Sequence, residues 1–137
     1  MQIQPYLMFG GASEEAIAFY RAALGAEVTM LMRFKDCPEP LDPARVAPGT
    51  EDKVMHAALR IGGSTVLLSD GMCKGPTSFQ GFTLSLTVAD EAEAERVFAA
   101  LGEGGQVGMP LARTFFSPRF GMLTDRFGVG WMVYVAQ

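Results

Sequence analysis

The chain contains a single histidine, His56, and the arginine four residues later makes this pair the first candidate for chemistry. Histidine is the side chain that ordinarily changes charge near neutral pH, so His56 is a candidate general base. Arg60 adds a permanent positive charge that can contact an anion. Alternating residues of a strand share a face, so both side chains would point into a cavity or toward solvent. The alternative is a histidine that only hydrogen-bonds across strands.

Two further strand-like segments alternate apolar residues with side chains suited to lining a ligand site. Tyr6 and Met8 alternate with Leu7 and Phe9, and Thr83 and Ser85 alternate with leucines. We expect the apolar set to lie under a helix, which leaves the other set facing a cavity. Tyr6, Met8, Thr83 and Ser85 are therefore predicted to bind ligand, although a polar strand face can equally be wetted by solvent.

Several classes of protein are excluded by composition and motif. The net charge is -4 and no basic cluster occurs, which argues against nucleic acid as a partner. No apolar run approaches the roughly 20 residues that cross a bilayer, and the N-terminus does not resemble a signal peptide. Cys37 and Cys73 form no CxxC pair, so we predict reduced thiols in a cytoplasmic protein. No nucleophile elbow, phosphate loop or HExxH motif supports a Cys37 or Cys73 nucleophile acting with His56.

The elements that must position these residues follow one order twice. With 137 residues, 49% hydrophobic and 19% charged, the chain suits one globular domain. A strand, a helix starting at an N-cap and ending at glycine, and three more strands occur in each half. In the first half these are Gln4–Phe9, a helix capped by Ser13 and ended by Gly25, Val28–Phe34, Lys53–Ile61 and Ser64–Ser69. In the second half they are Phe82–Val88, a helix capped by Asp90 with Glu93 in a capping box, and strands around Gln106–Met109, Arg119–Thr124 and Gly130–Val135.

The two helices also align in sequence, residues 12–25 on residues 89–102, with AALG in common. The prediction is an α+β fold of two βαβββ modules that form a half-open barrel with a ligand cavity at their interface. Module one covers about residues 1–70, a linker about 71–81, and module two about 82–137. A proline-rich loop is expected over residues 36–52.

Three segments carry a family resemblance: PYLMFGGASEEAIAFYRAALGAEV, MHAALRIGGSTVLLSD and FGMLTDRFGVGWMVYV. They resemble the PhnB-like branch of the glyoxalase/bleomycin-resistance/dioxygenase (vicinal oxygen chelate) superfamily, often labelled 3-demethylubiquinone-9 3-methyltransferase domain. The resemblance covers nearly the whole chain. It implies a glyoxalase/bleomycin-resistance-like fold with paired βαβββ modules, a U-shaped cavity and a homodimer.

The resemblance also implies where a metal would lie, because metal-dependent enzymes of the superfamily take His, Gln or Glu ligands from the first, fourth, fifth and eighth strands. Here those positions are Pro5 or Tyr6, Leu67 or Leu68, Phe82 or Thr83, and Met132. Such side chains coordinate a divalent metal poorly. We therefore predict no metal and no cofactor, with Met132 among the ligand-binding residues, and a divalent metal at an unusual position as the alternative.

The predicted function is a metal-free small-molecule-binding protein. The alternative is an enzyme of unassigned reaction, an isomerase, lyase, dioxygenase or, as the family label states, a methyltransferase, which uses His56 or a metal at an unusual position. No glycine-rich dinucleotide-binding unit supports a nucleoside cofactor. A third interpretation is an interaction domain whose cavity is filled by its own side chains. The expected partners are a small molecule and a second copy of the chain, with Phe115 and Phe116 in a lid or a dimer contact, and neither nucleic acid nor membrane.

Overall fold

A computed structural model describes residues 1–42, 48–71 and 76–137 of the chain. They form two compact units, Met1–Thr77 and Ser78–Gln137, here called module one and module two. Cys73 and parts of the predicted loop and linker lie outside the described residues.

Module one is a four-stranded sheet with one long helix. β1 (Tyr6–Met8) leads through Gly10 and Gly11 into α1 (Ser13–Leu24). The remaining elements follow in chain order: β2 (Glu27–Arg33), a short 3-10 helix (Phe34–Asp36), β3 (Val54–Ile61) and β4 (Ser64–Ser69). The strand order is β1-β4-β3-β2, with β1 parallel to β4 and the other neighbours antiparallel.

Helix α1 and one face of this sheet enclose the core of module one. Leu7, Leu59, Leu68 and Tyr20 of α1 are almost completely buried. Their strand neighbours Tyr6 and Met8 are exposed, because successive side chains of a strand point to opposite faces. Each module thus has a sheet face covered by its helix and a second face, the helix-free face.

Module two repeats the architecture. Its elements are β5 (Leu84–Val88), α2 (Glu91–Gly102), β6 (Gln106–Ala112), β7 (Phe120–Thr124) and β8 (Gly130–Val135). The strand order β5-β8-β7-β6 matches that of module one, and β5 is parallel to β8. Val97, Leu101, Trp131 and Val133 are buried in its core. The α+β prediction with a twice-repeated βαβββ order is confirmed, and each sheet is open.

The helix ends test the predicted capping residues. Gly25 ends α1 in the left-handed conformation with φ 65°, as predicted. Asp90 caps α2 and accepts a hydrogen bond from the Glu93 N–H, also as predicted. The prediction that Ser13 caps α1 is wrong: Ala12 is the N-cap residue, and Ser13 is the first, fully buried residue of the helix. The acceptor at this end of α1 is instead the carboxylate of Asp70, which follows β4.

Candidate functional site

The helix-free face of module one carries a hydrogen-bonded pair, Tyr6 and His56. The phenol oxygen of Tyr6 lies 2.8 Å from Nδ1 of His56. The ring centroids are 5.5 Å apart and the rings are tilted by 37°. The tyrosine is exposed and the histidine half-buried, so the pair is open to a small molecule.

The strand register brings these two residues together although 50 positions separate them. Tyr6 on β1 is the Cα partner of Leu67 on β4, and Leu67 is in turn the partner of Ala58 on β3. His56 lies two residues from Ala58 along β3, on the same face. Both side chains are long enough to meet above β4, the strand between them.

Two exposed methionines lie on the same sheet face as the pair. Met8, two residues after Tyr6 on β1, is exposed, and so is Met30, the β2 partner of Ala58. Ala58 itself is buried, and its side chain is small. The exposed surface beside the Tyr6–His56 pair is therefore largely apolar.

Arg60 lies on β3, but its guanidinium pairs with Glu27 on β2, the residue opposite it in the sheet. His56 and Arg60 are four residues apart, which in a strand is a distance of about 13 Å. The structure thus places Arg60 in an exposed ion pair and His56 with Tyr6.

The Tyr6–His56 hydrogen bond has two forms that differ in chemistry. If the phenol donates to Nδ1, the proton of neutral imidazole is on Nε2, which then acts as a donor. If Nδ1–H donates to the phenol oxygen, Nε2 of neutral imidazole is free to accept a proton, as a general base requires. In the described part of the chain no hydrogen bond to Nε2 occurs, so either form can face a ligand.

Module two has a shallow groove of about 310 Å³ on its own sheet. It is lined by residues of β6, β7, β8 and the segment before β5: Thr83, Gly108, Met109, Met122, Leu123, Thr124 and Gly130. Gly130 makes room for Thr83, since a Cβ at Gly130 would lie 3.0 Å from Thr83 Cγ2. The lining of the groove includes two threonines and two methionines.

Of the residues predicted in module two, Thr83 lines this groove. Ser85 and Met132 are Cα partners on β5 and β8, with Ser85 exposed and Met132 half-buried. Met109 and Met122, which pair across β6 and β7, were missed. Alternation within FGMLT puts Met122 on the other sheet face from its neighbour, the core residue Leu123, so the sequence did contain a signal for Met122. The face of Met109 depends on a register shift beside Gly108, which no pattern in the sequence reveals.

The positions at which the resemblance would place a metal do not supply its ligands. Tyr6 and Leu67 are partners in module one, and Ser85 and Met132 are partners in module two, with Thr83 preceding β5. Among residues 1–42, 48–71 and 76–137 no three His, Cys, Asp or Glu side chains group in a way that could hold a metal ion. Phenol, thioether and hydroxyl groups are weak ligands for divalent metals, so these residues do not fit one.

The glycine-containing junction between β1 and α1 does not fit a nucleoside cofactor either. The N–H groups of Gly11 and Ser13 donate to Oδ1 of Asp70, at 2.9 and 2.8 Å. The Val54 N–H donates to Oδ2, also at 2.8 Å. Because a protein carboxylate already occupies this helix N-terminus, its donors are not available to an anionic group of a ligand.

Surface ion pairs elsewhere in module one change the pKa of two carboxyls. The hydrogen bond from Arg33 to Glu14, 2.7 Å between Nη1 and Oε1, lowers the pKa of Glu14. A hydrogen bond from Lys35 Nζ lowers the pKa of Asp52 in the same way. Neither pair includes a candidate site residue, so both act on stability rather than on the site.

None of the helices in the described ranges is long and apolar enough to cross a membrane.

Comparison with known proteins gives a consistent result. A family model described as 3-demethylubiquinone-9 3-methyltransferase matches residues 1–134. Protein YjdN of Escherichia coli K12 is 37% identical over 142 residues, which cover 100% of this chain and 97% of YjdN.

Solved structures agree with this match. Protein PA1353 from Pseudomonas aeruginosa has 44% identity and a TM-score of 0.85, covering 100% of this chain and 98% of that one. The PhnB protein from Bacillus cereus has 30% identity and a TM-score of 0.81, covering 99% of this chain and 100% of that one. The fosfomycin resistance protein FosX from Listeria monocytogenes, at 12% identity and a TM-score of 0.66 over 100% of this chain and 94% of FosX, shares the fold.

Proposed function

Since this chain belongs to the 3-demethylubiquinone-9 3-methyltransferase family, the PhnB-like branch of the vicinal oxygen chelate superfamily, we propose that it binds a small molecule without a metal ion. The observation that carries the proposal is the Tyr6–His56 pair on an exposed apolar surface. Ligand sites are mostly apolar and use a few polar groups to orient the ligand. The groove of module two, with two threonines and two methionines, supports the same inference. That both modules enclose one common cavity stays a prediction.

A neutral apolar dye provides the first test. N-phenyl-1-naphthylamine would be titrated against the protein while its fluorescence is followed, and we expect saturable binding. Met8→Gln in module one and Met109→Gln in module two are each expected to weaken it, because they place an amide on a helix-free face.

Val107 offers a matched control for Met109. It lies on the same strand and is similarly exposed, 52% against 47%. Its Cα partner is the core residue Leu123, and it lies near Gly102 of α2, on the helix side of the sheet. Val107→Gln should leave dye binding unchanged. An absence of saturable binding, or an equal loss in all three variants, would reject the proposal.

A second candidate function is catalysis, favoured by the form of the Tyr6–His56 pair in which Nε2 accepts a proton. The reaction classes remain isomerase, lyase, dioxygenase or methyltransferase. Compounds that displace the dye would be incubated with the protein and analysed by mass spectrometry. A product formed by the wild type and by Arg60→Gln but not by His56→Gln would establish an enzyme, whereas unchanged compounds would leave binding as the function.

A cytoplasmic homodimer is part of the same proposal. β2 and β6 are edge strands of their sheets, and exposed edges favour pairing or covering by a partner. Phe115 is exposed and stacks edge-on against Phe116, which in turn stacks on Phe120. Sedimentation at micromolar concentration as a 14.7 kDa species would contradict the dimer.

A further inference from the structure

The ionisable groups on the helix-free face of module one differ in whether they have a partner of opposite charge. Arg60 of β3 and Glu27 of β2 neutralise each other. β1 contributes the neutral phenol of Tyr6, and β4, Ser64–Ser69, has no ionisable side chain. Among the described residues His56 forms no ion pair with a carboxylate. A proton taken up by His56 therefore creates a positive charge that no neighbouring group of the described chain balances.

We propose that the ligand of this face is an aromatic anion, a planar ring system that bears a carboxylate, sulfonate or phenolate group. The inference rests on the proposed binding function and specifies its ligand class. Protonated His56 donates Nδ1–H to the Tyr6 oxygen and presents Nε2–H to the anion. Charge-assisted hydrogen bonds of this kind are about twice as strong as neutral ones.

The apolar part of the face suits the ring. Met30 is the β2 partner of Ala58, which is buried and small, and Met8 lies on the opposite edge strand, β1; both methionines are exposed. Methionine sulfur makes favourable contacts with aromatic rings, and its flexible side chain adapts to their shape. An aromatic body on the methionines and an anion at His56 together use both features of the surface.

This arrangement makes anion binding depend on pH, because proton uptake by His56 and anion binding favour each other. The other groups to consider are few. Arg60 is paired with Glu27, and Tyr6 contributes a phenol rather than a carboxylate. Asp70, next to the end of β4, is buried and accepts three backbone N–H groups. Affinity for an aromatic anion should therefore be higher at low pH, where His56 is protonated, than at high pH.

Two dyes that share one ring skeleton separate this inference from the proposed function. N-phenyl-1-naphthylamine is neutral, and 1-anilinonaphthalene-8-sulfonate adds a sulfonate that stays ionised from pH 5 to 8. We expect the ratio of sulfonate-dye affinity to neutral-dye affinity to be about tenfold higher at pH 5.5 than at pH 8 in the wild type, the size of one hydrogen bond to a charged group. In His56→Gln the ratio should stay flat while the neutral dye still binds.

Further variants identify the group responsible. The double variant with Glu27→Gln and Arg60→Gln removes the other charges of this face and should keep the wild-type rise. His56→Asn gives a second neutral replacement, and circular dichroism verifies that each variant is folded. A flat ratio in the wild type, or an equal rise in both His56 variants, would overturn the inference. If the neutral dye itself fails to bind, the proposed function fails; if it binds and the ratio is flat, only the ligand class is wrong.

Discussion

Helices α1 and α2 begin in similar sequences but are held at their N-termini by different means. At α2 the acceptor is Asp90, next to the helix, and Glu93 completes a capping box by accepting the Ala89 N–H at 3.1 Å. At α1 the acceptor is Asp70, 57 residues from Ser13 in the chain and only 2% exposed. The first cap forms with its own helix. The second exists only after β4 has joined the sheet, so in module one helix and sheet are tied together by a single buried carboxylate.

Of the substitutions that test this contrast, replacement of Asp70 should lower the free energy of unfolding most. Asp70→Ala leaves the N–H groups of Gly11, Ser13 and Val54 without an acceptor in a buried site. Unsatisfied buried donors cost about 1–3 kcal/mol each, so we expect the free energy of unfolding to fall by more than about 3 kcal/mol. Urea unfolding would measure it, and a loss below about 1 kcal/mol, the size of an ordinary local cap, would remove the distinction between the two helices.

Asp90→Ala provides the matched variant in module two. The side chain accepts one hydrogen bond at a solvent-exposed helix end, where an N-cap is worth about 1 kcal/mol. We expect a loss of that size in the same urea experiment. A loss equal to that of Asp70→Ala would show that burial does not separate the two caps.

Ser13→Ala distinguishes the structure from the sequence pattern. A serine N-cap would cost about 1 kcal/mol on removal. In the structure Ser13 Oγ is buried and has no hydrogen-bond partner among the described residues. Removing an unsatisfied hydroxyl should leave stability unchanged or raise it by up to about 1 kcal/mol. A clear loss would restore Ser13 as a capping residue.

Glu14→Gln should give the smallest effect, and one that depends on pH. Because Arg33 lowers the pKa of Glu14 in the folded protein, the ion pair stabilises above the ordinary value near 4.5 and is lost as the pH falls through the lowered pKa. Exposed pairs contribute about 0.5 kcal/mol, so Glu14→Gln should be less stable than the wild type by that amount at pH 7. The difference should shrink as the pH falls through the lowered pKa of Glu14, and a difference that does not depend on pH would exclude the ion pair as its cause.

Features set by neighbouring residues could be predicted from the sequence. The Asp90 capping box, the left-handed Gly25 and the alternation from Thr83 to Val88 all depend on residues within one turn or one strand. The twice-repeated order of elements followed from these local signals, and so did the fold class.

Features set by strand register could not be predicted from the sequence. The Tyr6–His56 contact depends on the pairing of β1 with β4 and of β4 with β3, which no local pattern encodes. The same is true of Asp70, whose partners lie at the other end of the module, and of Met109, whose face depends on a register shift in β6. A pattern of spacing suggested Arg60 as the companion of His56, whereas the ion pair with Glu27 holds Arg60.

The only tryptophan of the chain, Trp131, lies in the core of module two, and its indole N–H donates to Oδ2 of Asp125 at 2.9 Å. Indole fluorescence responds to the loss of such an environment, so the intrinsic emission of this protein follows the unfolding of its second half. Far-ultraviolet circular dichroism records both helices, one from each half. Comparing the two signals during denaturation therefore measures whether the duplicated halves melt as one cooperative unit or in sequence, without any added label.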